Sequence, residues 1–217
     1  MRFRLIIILV GALLVAAVWL FPYWQPLLPT AGEAQVELFP GLARELQGEF
    51  AALPPERQRA YLDLAVQEPE RALTMLETAL SPAPAAPIEE QEMPELVAPT
   101  VAAVGTFAAI DPTRFADGEV TVYRDANGGW LLRFENFTSV HGPDLRVVLS
   151  AAAAPADSAE MRVGSLDLDL GPLKGVAGSQ NYAIPPEVDL RQYRSVVLYS
   201  QSLDLIYSRA QLFIRSF

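Results

Sequence analysis

A chain of 217 residues has room for one ordinary domain with additions, and a β domain of somewhat over 100 residues buries roughly two-thirds of its unfolded surface. It contains no cysteine, which excludes disulfides, thiolate zinc sites, iron-sulfur clusters, covalently attached haem and a cysteine nucleophile. The formal charge is -10, and residues 33–95 carry most of it, with 13 acids against 4 arginines; without a basic face to neutralise phosphates, nucleic acid is excluded as a partner.

Arg2 and Arg4 precede an uncharged run, residues 5–21, whose 17 residues span about 25 Å as a helix. Trp19, Phe21, Tyr23 and Trp24 follow at interfacial depth, and Pro22 and Pro26 end the helix. Residues 1–24 therefore read as a single membrane anchor, with a cleaved signal peptide as the alternative. The arginines place the N-terminus in the cytoplasm and the remainder of the chain across the membrane, in a periplasmic, lumenal or extracellular space.

Residues 33–80 form an acidic helical segment. Leu38, Leu42 and Leu46, then Tyr61, Leu64 and Ala65, then Leu73, Leu76 and Leu80 recur at spacings of three and four, with Pro40, Pro54, Pro55 and Pro69 as breaks or first-turn residues. Three short helices are predicted, either a helical stalk or a docking module. Residues 81–99 alternate proline with alanine and four glutamates, which predicts an extended linker.

From residue 100 to 217 the period changes to two. Strands are predicted at residues 119–123, 130–137, 145–149, 166–170, 182–184, 196–199 and 205–213, with a hairpin turn at Asn127, Gly128 and Gly129. Many short strands with regular turns indicate an antiparallel β-sandwich. Residues 170–182 hold three glycines, Pro172 and Lys174, the single lysine, and read as a shaped turn entering a sheet edge.

The pieces Gly105-Thr106-Phe107, Gly118-Glu119-Val120, Phe134-Glu135-Asn136-Phe137, Gly142-Pro143-Asp144-Leu145, the 170–182 turn, Tyr193-Arg194-Ser195-Val196-Val197 and Ala210-Gln211-Leu212 resemble the DM-thirteen domain family, described as electron-transfer-like. The resemblance covers about half the chain and implies an extracytoplasmic β-sandwich, in bacteria often tethered by an N-terminal helix. The family commonly carries an aromatic-cysteine pair, with the cysteine as its proposed redox group. That pair aligns here with Tyr199 and Ser200, and a serine hydroxyl cannot cycle between thiol and disulfide.

His141, the only histidine, stands beside Asp144 in a turn shaped by Gly142 and Pro143; one imidazole and one carboxylate fall short of a metal-ligand set. Lys174 is expected to hold the carbonyls of its glycine-rich loop, and Gly171 and Gly175 shape that loop without a following helix to cradle phosphate. No catalytic group, metal or cofactor is predicted. The candidate functional surface comprises His141, Gly142, Pro143, Asp144, Gly171, Lys174, Gly175, Tyr182, Tyr199 and Ser200. The function expected is a membrane-anchored extracytoplasmic module that binds a protein partner as an accessory of a membrane complex, with electron transfer through a bound cofactor as the alternative.

Overall fold

The computed structural model describes residues 38–81 and 91–215. No helix among them is long and apolar enough to cross a membrane. The expected anchor, residues 1–24, lies outside the described residues.

Three helices form, α1 (Arg44–Ala52), α2 (Pro55–Gln67) and α3 (Pro69–Leu80). Pro55 and Pro69 occupy the first helical positions, where a missing N–H costs nothing and a fixed φ helps. Gln58 Nε2 donates to the carbonyls of Ala51 and Leu53, closing the end of α1 against the start of α2. The apolar stripe is Phe50, Tyr61, Ala72, Met75 and Leu76, all buried, with Phe39 and Phe50 meeting edge to face at 5.3 Å.

These side chains belong to the same core as the β domain, and the described residues from Phe39 onward form one compact unit. The helices are therefore packed on the sheet, and the stalk expected from the sequence is not a separate body. The reason is physical: helices this short gain stability by burying a stripe, and the sheet supplies the surface. Arg57 caps the contact by lying 4.1 Å over the ring of Phe115.

The β domain comprises β1 (Thr100–Ala109), β2 (Ala116–Arg124), β3 (Trp130–Ser139), β4 (Leu145–Ser150), β5 (Asp167–Pro172), β6 (Gln180–Ile184), β7 (Ser195–Ser200), β8 (Leu205–Gln211) and β9 (Phe213–Ile214), with a one-turn helix α4 (Ser158–Met161) between β4 and β5. All pairings are antiparallel, in the order β5-β4-β7-β8-β1-β2-β3-β6, with β9 added beside β1. The expected sandwich is thus one continuous sheet folded over on itself. Strand β1 makes the fold: its first part pairs with β2 and its last three residues, from Phe107, with β8.

The two edges, β5 and β6, approach each other, and the 170–182 segment is the connection that joins them. Its loop is stitched to neighbouring strands by Leu173 N to Leu145 O at 2.7 Å, Ser139 N to Val176 O at 2.8 Å and Gly178 N to Phe137 O at 2.9 Å. The sheet is consequently nearly closed, between a sandwich and a barrel. Its interior is filled by Phe107, Phe134, Phe137 and Tyr182, with ring centroids 5.0–5.3 Å apart.

Strand β7 is buried at all six positions. One face meets that interior; the other carries Val197 and Tyr199 into a second small core with Val148, Met161 and Ile206, so α4 caps the outside of the sheet. Of the linker expected at residues 81–99, residues 82–90 lie outside the described residues, and the described part after them is not free of the sheet. Residues 91–97 lie on the sheet, with Gln91 N donating to Ser179 O at 3.0 Å and Val97 N to Asp125 Oδ2 at 3.1 Å.

Candidate functional site

The ten residues singled out by sequence fall in three places. The first is the 141–144 turn. Gly142 lies flat against the ring of Tyr207, where an added Cβ would come within 2.5 Å of the ring, so no larger residue fits without displacing Tyr207. Ser200 Oγ donates to Pro143 O at 2.7 Å and is fully buried, which pins the end of β7 to this turn. Asp144 shapes the turn with its backbone, at φ 48° with its carbonyl accepting from Gln201 N. His141 Nδ1, Ser139 Oγ and Tyr207 Oη are buried without hydrogen-bond partners among the described residues.

The second place is the β5–β6 connection. Gly171 takes φ 111°, a conformation other residues reach only with strain. Lys174 Nζ donates to Asn181 O and to Gln91 Oε1, and stands 5.0 Å from the centre of the Tyr182 ring. Gly175 O accepts from Gln180 Nε2 at 2.7 Å, and Tyr182 Oη donates to Gln180 Oε1 at 2.8 Å. Burial pushes the Tyr182 phenol up to about 12, so it stays a neutral donor. Lys174 therefore holds a carbonyl of β6 and the side chain of Gln91, and not the carbonyls of its own loop as expected.

The third is Tyr199, on the opposite face of β7 from Ser200. Its hydroxyl donates to Asp204 and accepts from Arg162, and Ser158 Oγ donates to Asp204 Oδ2 at 2.9 Å. Burial and the hydrogen bond to Asp204 raise the phenol against the opposing pull of Arg162. The group fastens the α4 cap to the sheet. Tyr199 and Ser200, adjacent in sequence, point away from each other because side chains alternate along a strand.

A fourth place was missed by sequence reasoning. A cleft of about 320 Å³ opens between the helices and the 111–114 turn, lined by Asp63, Gln67, Glu68 and Arg71 on one side and Asp111, Thr113 and Arg114 on the other, with Leu64, Met75 and Leu205 among its apolar walls. The turn is rigid. Asp111 accepts from Thr113 N, Thr113 Oγ1, Arg114 N and Arg114 Nε at 2.7–2.9 Å, while Arg114 Nη1 donates to Ile206 O. Burial works to raise the Asp111 carboxyl, yet the bonds from Thr113 and the Arg114 guanidinium together hold it below the usual range.

Tyr61 and Tyr207 lie close enough to this turn that Asp111 and Arg114 act on both or one of their phenols, and burial is the main force raising each well above the ordinary tyrosine value. Glu68 pairs with Arg71, so among the charged groups of the rim Asp63 alone has no partner among the described residues. The Asp-Pro-Thr-Arg sequence of the turn was the available signal, since an aspartate two residues before a threonine folds back on backbone amides. Nothing in the sequence states that α2 lies opposite it.

Among the described residues no group of three His, Asp or Glu gathers to hold a metal. No curated protein and no solved structure matches the chain. The model of the family described as Electron transfer DM13 matches residues 111–212, from the cleft turn to the last core leucine. The resemblance that the sequence motifs imply therefore holds over these residues of the C-terminal β domain.

Proposed function

We propose that this chain is a membrane-tethered, extracytoplasmic interaction module, and that the helix–sheet cleft is where it meets a protein partner. One observation carries the reading: the helices and the β domain together build an open, polar-rimmed cleft, while Lys174, Ser200 and Tyr199 are engaged in bonds that hold the fold. The unpaired Asp63 on this rim, within a segment of net charge -9, favours a partner surface bearing lysine or arginine. Tethering follows from residues 1–24, whose charge and apolar run are those of an anchor.

The test is purification of the full chain in mild detergent after crosslinking in cells, comparing wild type with Asp63→Arg. A specific crosslinked partner lost in Asp63→Arg supports the reading. An inert monomer in both sinks it.

A second reading, electron transfer, is favoured by the family match itself. It is tested by the optical spectrum and metal content of natively purified protein. A stoichiometric chromophore or metal would establish it in place of the first.

A further inference from the structure

Edge strands expose unpaired N–H and C=O groups that template the binding of another strand, and proteins cover them. On β6 the pairing with β3 sets Asn181 opposite Arg133, and Asn181 N donates away from β3 to Gln91 Oε1 at 2.9 Å. By the alternation of an antiparallel ladder, Ala183 also faces outward, and it is exposed. Gln91 covers this edge with one backbone bond and its side chain: its own N–H donates to Ser179 O, its side-chain oxygen accepts from Asn181 N, and its carbonyl accepts from Arg133 Nη1 at 2.9 Å. Asn181 O is covered separately by Lys174 Nζ.

We propose that the outward edge of β6 is a strand-binding site, that Gln91 is its displaceable lock, and that the ligand it takes is an extended acidic peptide segment. The edge contributes the ladder groups; the ligand's charge follows from what surrounds Gln91. Every neighbour bonded to the Gln91 oxygens is a donor, and two are cations, Lys174 and Arg133. Arg133 is almost fully buried, 8% exposed, and among the described residues Glu135, 3.0 Å from its Nε, is the one carboxylate bonded to it. Lys174 Nζ and Arg133 Nη1 meet neutral amide oxygens, while Arg133 Nε is already paired with Glu135. A carboxylate in the same place forms charge-assisted bonds, which are roughly twice as strong. Besides Gln91, the strap is held by Asn181 Nδ2 donating to Glu92 O at 2.8 Å and by the bonds of Val97 to Asp125 and Ala126, while Met93 and Val97 remain 39% and 57% exposed, so little apolar area holds it down. This site is independent of the cleft.

The experiment uses the full chain with Gln91→Pro, which removes both the N–H and the side-chain oxygen, and a fluorescent peptide of the chain's own residues 88–95, Ile-Glu-Glu-Gln-Glu-Met-Pro-Glu. Amide exchange of Asn181 should accelerate about tenfold or more in Gln91→Pro and return toward the wild-type rate when peptide is added. The peptide should bind this variant at least about tenfold more tightly than wild type, because the tethered Gln91 no longer competes at high local concentration. The peptide with glutamine at its four glutamates, or Lys174→Ala added to the variant, should lose about tenfold. An Asn181 amide that stays slow in Gln91→Pro shows that Gln91 is not the lock. A freed amide with no peptide binding shows that the edge is not a strand site, and either result overturns the proposal.

Discussion

Two stretches that precede the β domain are both docked on it, and by different forces. The helices are held by buried carbon: Phe50, Tyr61, Met75 and Leu76 are each no more than 2% exposed and share one core with the strands. The strap, residues 91–97, is held mostly by hydrogen bonds from Gln91 and Val97 to β6 and the β2–β3 hairpin, with its own apolar groups half in water. Apolar burial is non-directional and cooperative with the rest of the core, whereas a hydrogen bond at an exposed edge trades one partner for water at a net of about 1 kcal/mol. The helices should therefore unfold with the sheet, and the strap should leave without it.

The largest expected effect tests the first half of that contrast. Leu76→Ala removes a fully buried side chain at the helix–sheet core and should cost about 3 kcal/mol, with a single denaturation transition whether followed by helical signal or by tyrosine fluorescence. Two separated transitions would show that the helices are a body of their own.

Alkaline titration comes next. The phenols of Tyr61 and Tyr207 are raised by burial, so their contribution is fully present below the unfolded value of about 10 and is lost as pH rises toward the folded values. Stability should fall above about pH 10, and phenolate absorbance from these two should appear only with unfolding. Early ionisation in the native state would mean that the helix α2 side of the contact opens by itself.

Asp111→Asn is the next smaller step, about 2 kcal/mol, for loss of charge-assisted bonds to Thr113 and Arg114 at the cleft turn. Because the folded carboxyl lies below its unfolded value of about 4, its stabilisation is complete above that pH and is lost as pH falls through the folded value. The acid limb of a stability–pH curve should therefore be shallower in Asp111→Asn than in wild type, as read from denaturant midpoints between about pH 5 and 2. Equal slopes would remove Asp111 from the account.

Gln91→Ala should be smallest globally, under about 1 kcal/mol, while accelerating exchange at Asn181 alone. A loss comparable with Leu76→Ala would erase the distinction between the two stretches.

The strand pattern was legible where chemistry is local. The β2–β3 hairpin was read from Asn127, Gly128 and Gly129, and Gly128 takes φ 91° there, while the bond from Asn127 N to Asp125 Oδ1 emerges only in the structure. Pro55 and Pro69 announced two helix starts. Strand β1 was not among the expected strands, because a strand shared by both halves of a folded sheet is covered on alternating sides and Thr-Val-Ala-Ala-Val-Gly-Thr-Phe-Ala-Ala lacks a period of two. Residues 91–97 read as linker because their composition is that of one, and the bonds of Gln91 reach partners some 90 residues away.

The residue types alone determined the absence of thiol chemistry, the acidity of the helical segment and the alternation that makes a β domain, for these are properties of neighbours in the chain. Only the tertiary structure decided that Lys174 guards an edge, that Ser200 fastens a turn, and that α2 and the 111–114 turn face each other across a cleft. Such pairings join residues distant in sequence, and their existence depends on how the whole sheet folds over to bury its inner face.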